Sequence, residues 1–102
     1  MGGPLDGALT EQMLLSEDGV VALPRDLSFE EGACLPCAGV TAWNALFCTG
    51  RCVRPGDNVL VLGTGGVSMF ALQFARSAGA RVLVTSSSDE KLQRVRVMGA
   101  SD

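Results

Sequence analysis

Four consecutive apolar residues, Val59-Leu60-Val61-Leu62, run directly into Gly63-Thr64-Gly65-Gly66-Val67-Ser68. Beyond the glycines, Val67, Phe70, Ala71, Phe74, Ala75 and Ala78 recur at i, i+3, i+4, i+7, i+8 and i+11. A short continuous apolar run reads as a parallel strand buried on both faces, and the 3.6-residue period reads as an amphipathic helix. The predicted order is therefore strand, tight turn, helix. Such a helix presents unpaired backbone N–H groups and the positive end of its dipole at the turn, a combination suited to a phosphate.

The surroundings fit that frame. Gly79 stops the helix, and Arg81-Val82-Leu83-Val84-Thr85 is a second, β-branched strand. Residues 58–85 thus form a βαβ unit of about the 30 residues a dinucleotide fingerprint occupies. Ser87 and Glu90 have capping-box spacing, and Leu92, Val95 and Met98 line a further helix ending at Gly99. The fold class is α/β: a partial Rossmann-like βαβα unit with parallel strands, preceded by short strands and linking helices.

Upstream, Ala8–Leu15 and Val20–Leu23 are predicted as short strands around a Ser16–Gly19 turn. Ser28 and Glu31 form a capping box for a short helix over Phe29–Leu35, which Pro36 interrupts. A second helix follows from Ala38 to Cys48, with Ala38, Ala42, Ala45 and Leu46 at helical spacing and Gly50 as its stop. Pro55-Gly56-Asp57 is a turn feeding the central strand.

In the glycine turn, Gly63 permits the bend and Gly65 lets a pyrophosphate approach the backbone; the third fingerprint position, normally glycine for close helix–strand packing, is Ser68. A turn of this shape can also occur in an α/β protein with no ligand. About 20 residues on, an NAD site carries a carboxylate for the ribose 2′-hydroxyl, whereas this chain has Ser86-Ser87-Ser88. Hydroxyls there do not repel a 2′-phosphate, and Lys91 adds a positive charge, so NADPH is expected in preference to NADH. The serines also serve to cap the next helix. An S-adenosylmethionine-dependent methyltransferase shares the glycine-rich turn but would place an acid where Ser86 stands.

At 102 residues, 47% hydrophobic and 19% charged, the composition is that of one small globular domain. A net charge of −3 with no Lys/Arg run argues against nucleic acid, and no apolar run is long enough to span a membrane. Met1-Gly2-Gly3-Pro4 has neither the basic start nor the apolar stretch of a leader, so the expected location is the cytoplasm. The four cysteines are Cys34, Cys37, Cys48 and Cys52, and there is no histidine. Cys34 and Cys37 have C-x-x-C spacing, but Cys48 and Cys52 are C-x3-C, so reduced, half-buried thiols are expected rather than a closed zinc site.

Cys34-Leu-Pro-Cys37-Ala-Gly-Val-Thr41-Ala-Trp43, Pro55-Gly56-Asp57, Gly63-Thr-Gly-Gly-Val-Ser68 and Ser86-Ser-Ser-Asp-Glu-Lys91-Leu together resemble the medium-chain dehydrogenase/reductase superfamily, in particular zinc-type alcohol dehydrogenases and quinone oxidoreductases. The resemblance covers Gly7 to Ala100. It implies that residues 1–23 are a remnant of a GroES-like catalytic domain, 24–57 the linking helices, and 58–102 a truncated NAD(P)-binding Rossmann domain. It also implies roles: Thr41 near the nicotinamide, Gly63, Thr64, Gly65, Gly66 and Val67 under the pyrophosphate, and Ser86, Ser87 and Lys91 at the adenosine ribose. Cys37 matches the third ligand of the catalytic zinc in the zinc-dependent branch. The companion ligands should lie upstream, in residues 1–23, where there is no cysteine or histidine and the glutamates are Glu11 and Glu17, so zinc is not expected and no catalytic residue is assigned.

Six strands are expected of such a sheet and two are represented. Self-association through exposed strand edges, or a partner chain completing the sheet, is therefore expected. The leading functional reading is part of an NADPH-dependent oxidoreductase, inactive alone or active when a partner supplies the rest. The alternative is a non-catalytic interaction module that reuses the scaffold and self-associates.

Overall fold

The computed structural model describes residues 3–102. Met1 and Gly2, on which the leader expectation and the start of the expected 1–23 unit partly rest, lie outside the described residues.

Two parallel strands form the sheet: β1 (Asn58–Leu62) and β2 (Arg81–Thr85), with Val59 beside Val82, Leu60 beside Leu83 and Val61 beside Val84. Because side chains alternate along a strand, the register puts Val59, Val61, Val82 and Val84 on one face and Leu60, Leu62 and Leu83 on the other. Only the first face is covered. Helices α3 (Gly66–Ser77) and α4 (Asp89–Val97) supply Leu72, Ala75 and Val95 to a core with Val61, Val82, Val84 and Leu46. Leu60 and Leu62 stay 61% and 72% exposed. The expectation of a strand buried on both faces is corrected here: helices on one side of two strands can cover one face only.

Helix α3 is buried on two sides. Leu72 and Ala75 meet the sheet core, while Phe70 and Phe74 turn to the preceding helical segment, where Trp43 stacks edge-on to Phe74 at 5.5 Å. The predicted stripe therefore caught Ala75 and the helix-facing side but missed Leu72; Val67, at the first turn, is exposed.

The linking segment is one wound rod rather than two helices. It comprises α1 (Phe29–Ala33), a π turn (Leu35–Gly39), α2 (Val40–Trp43) and a second π turn (Asn44–Cys48). The Ser28–Glu31 capping box forms as expected, each side chain bonding the other's backbone N–H. Pro36 does not interrupt the rod. It sits at the start of the π turn, where no N–H is required, and the turn widens until the Gly39 N–H reaches the Cys34 carbonyl at 3.3 Å. Ala42 and Leu46 are buried, but Ala45 faces solvent. The Pro55–Asp57 turn holds through Asp57, whose carboxylate accepts from the Arg54 N–H and the Arg51 guanidinium.

The predicted strands at 8–15 and 20–23 do not form. Residues 3–28 hold one short 3-10 turn, Glu17–Gly19, and are otherwise irregular and largely exposed. A strand needs a neighbouring edge for its backbone groups, and none of the described residues offers one there. The radius of gyration, 16.2 Å, accordingly exceeds the roughly 13 Å of a compact chain this long.

At the other end, Ser101 donates to the Val82 carbonyl at 2.7 Å and the Val84 N–H to the Asp102 carbonyl at 2.9 Å. The last residues thus lie along the free edge of β2. The outer edge of β1 has no partner among the described residues.

Candidate functional site

The parallel register brings the C-terminal ends of β1 and β2 together, with Leu62 beside Thr85. Gly63 leaves β1 at φ +81, a left-handed conformation that costs any other residue about 1–2 kcal/mol. Its N–H donates to the Thr85 carbonyl at 3.0 Å and lies 3.3 Å from Thr85 Oγ1. That use of Thr85 was missed in the sequence; its position at the strand end opposite the glycine was the available signal.

Gly65 differs. At φ −80 and ψ 179 its backbone suits any residue, so its lack of a side chain matters for space. A Cβ added there would meet nothing within 4 Å. Gly65 is also the N-cap of α3 and supplies no capping side chain, leaving the N–H groups of Gly66, Val67 and Ser68 without a bonded acceptor among the described residues. The first intrahelical bond runs from Met69 N–H to the Gly65 carbonyl at 2.9 Å. The result is an open surface ringed by backbone donors at the positive end of a 12-residue helix. Thr64 is half-buried within the turn, and Gly66 and Val67 are exposed at its rim.

Ser68 Oγ donates to the Leu62 carbonyl at 3.0 Å. The linking rod approaches closely, since a Cβ on Gly66 would stand 3.5 Å from that of Ala38. Thr41, one helical turn beyond Ala38, is exposed.

Beyond β2, Ser86 Oγ accepts from the Ser88 N–H at 3.2 Å. Ser88, not Ser87, caps α4 by accepting from the Lys91 N–H at 3.4 Å. The expected Ser87–Glu90 capping box is thus corrected: Ser88 holds the extended cap conformation, and Glu90 pairs with Arg94 instead. Ser87 is left exposed, and Lys91 is exposed with no ion-pair partner among the described residues. The structure therefore brings Gly63–Val67 and Ser86–Ser87 to one end of the sheet, with Lys91 in the first turn of α4.

The thiols depart from expectation. Cys34, Cys37, Cys48 and Cys52 are all unpaired and exposed rather than half-buried. They lie on or beside the solvent side of the rod, whose inner side is taken by Gly39, Ala42 and Leu46. Among the described residues no three His, Cys, Asp or Glu side chains cluster closely enough to hold a metal. Cys37 therefore has no cluster of companion ligands beside it among the described residues. Nor is any helix among them long and apolar enough to cross a membrane.

No protein-family model matches the chain. It is 58% identical to a zinc-type alcohol dehydrogenase-like protein of Schizosaccharomyces pombe, across 99% of this chain and 30% of that protein. Among solved structures, an NAD-dependent alcohol dehydrogenase superposes with a TM-score of 0.79 at 43% identity, over 86% of this chain and 26% of that one. The quinone oxidoreductase of Thermus thermophilus, solved also in complex with NADPH, gives 0.69 at 41% identity, over 78% and 26%. The chain spans less than a third of the length of these relatives.

Proposed function

Homologous to part of the zinc-type alcohol dehydrogenases and quinone oxidoreductases of the medium-chain dehydrogenase/reductase superfamily, this chain, we propose, is the dinucleotide-binding portion of such an oxidoreductase. In this reading residues 58–102 belong to the Rossmann domain, 24–57 to the linking helices and 1–23 to the end of the catalytic domain. The observation that carries it is the turn at Gly63–Val67. There, open space at Gly65 and unpaired N–H groups at the start of α3 coincide beside the end of β2.

The pyrophosphate would lie on the N–H groups of Gly66 and Val67, with Gly63 and Thr64 shaping the turn beneath it. The adenosine ribose would lie toward Ser86 and Ser87, and Thr41 would face the nicotinamide side. When bound, the dinucleotide supplies hydride; this chain's residues bind and orient it. The exposed Ser87 hydroxyl and unpaired Lys91 ammonium favour NADPH, since both tolerate a 2′-phosphate and Glu90 is already held by Arg94.

Titration with NADPH, following Trp43 fluorescence and using NADH as control, tests the reading. Saturable binding with NADPH preferred is expected. No response to either up to millimolar would refute it.

The open sheet face favours a second reading, a non-catalytic interaction module. Leu60 and Leu62 are exposed beside a strand edge that is unpaired among the described residues, a surface prone to pairing with another copy of the chain or with a partner that completes the sheet. Light scattering after size exclusion measures that association directly.

A further inference from the structure

We propose that Ser68 is the positioning residue of the glycine turn, a role that rests on the dinucleotide reading. Ser68 is the third residue of α3, where a fingerprint would have its last glycine. Its hydroxyl donates to the carbonyl of Leu62, the last residue of β1, at 3.0 Å. The bond spans the whole turn and fastens its two ends, while Gly63 N–H fastens the turn sideways to Thr85.

The direction of the bond matters. A conventional capping side chain at position 65 would accept from the second or third N–H of the helix and use the donors an anion needs. Ser68 stabilises the helix start as a donor to the strand, so every N–H of the first turn stays free. A glycine at 68 would allow the same approach of helix and strand but would supply no bond. The serine thus fixes the aim of the Gly66 and Val67 N–H groups without occupying them.

The test is Ser68→Ala in the full 102-residue chain, with Ser68→Thr, which keeps the hydroxyl, as rescue. Hydrogen exchange without ligand is the first measurement. The Met69 amide should lose about fivefold in protection, on the scale of one net hydrogen bond, while Leu72 and Ala75 in mid-helix keep theirs. The second compares NADPH with adenosine 2′-monophosphate, which carries no pyrophosphate. NADPH should bind about fivefold more weakly to the alanine variant, the monophosphate equally well, and Ser68→Thr should restore both NADPH binding and Met69 protection. Unchanged Met69 protection, or loss spread evenly along α3, would overturn the proposal. So would equal weakening of both ligands. If the wild-type chain binds no NADPH, the dinucleotide reading fails and hydrogen exchange alone decides the role of Ser68.

Discussion

Replacing Gly65 by aspartate should make the protein more stable and abolish dinucleotide binding. Gly65 is the N-cap of α3, already at the extended backbone angles a capping residue adopts, and a side chain there meets no atom within 4 Å. An aspartate would therefore enter without strain. Its carboxylate would accept from the unpaired N–H groups of the first turn, worth a few tenths of a kcal/mol over glycine. Opposing the helix dipole adds about 0.3–1 kcal/mol. The sum, about 0.5–1.4 kcal/mol, corresponds to a rise in Tm of roughly 2–11 °C for a domain of this size. The same carboxylate would fill the space and consume the donors proposed for the pyrophosphate, and would add charge repulsion. Gly63→Ala is the contrast: its φ of +81 is forced, so Tm should fall by roughly 4–16 °C. Far-UV circular dichroism melts and NADPH titration read both effects. A destabilised Gly65→Asp would refute the conformational argument, and undiminished NADPH binding by it would refute the site.

Leu72→Ala empties a fully buried position where α3 meets the sheet, and should cost about 2.7–5 kcal/mol, enough to leave so small a core largely unfolded in a thermal melt. Ser88→Ala should lower stability by about 1 kcal/mol through loss of the α4 cap, while Ser87→Ala stays within about 0.5 kcal/mol, a pair of denaturant curves separating the two serines. Leu60→Lys, on the open face, should leave the circular dichroism spectrum unchanged and shift any light-scattering oligomer toward monomer; an unaltered oligomer would place the association elsewhere.

The parts legible in the sequence were those whose signals are local. The Ser28–Glu31 box, the Pro55–Asp57 turn and the strand–glycine–helix order each depend on residues a few positions apart, and each formed. Of Ser86-Ser87-Ser88, the spacing to Glu90 singled out Ser87 as the cap, and the structure uses Ser88. The choice of Ser88 depended on where β2 released the chain, which spacing does not encode. The thiols were misjudged because the burial tendency of cysteine is an average over proteins, whereas exposure here follows from which side of one helical rod meets α3. At 8–15 and 20–23 the apolar residues met strand criteria, yet Leu14 and Val21 are almost wholly exposed, because pairing requires an edge distant in sequence.

The central strand joins the two halves of this picture. Val59-Leu60-Val61-Leu62 carries apolar side chains on both faces, whereas α3 and α4 cover one, so its composition is matched to a sheet with a packed layer on each face. The turn at its end does not depend on that missing cover. Gly63 is bonded to Thr85, Ser68 to Leu62, and Gly66 lies against Ala38, all on the covered side or along the shared end of β1 and β2. Two consequences separate on physical grounds. The geometry that would hold a pyrophosphate is built from contacts within this chain, so it can persist here. The exposed Leu60 and Leu62 remain a source of association whatever the turn binds. The same ten residues therefore carry both proposed properties, and substitutions at Gly65 and Leu60 should move them independently.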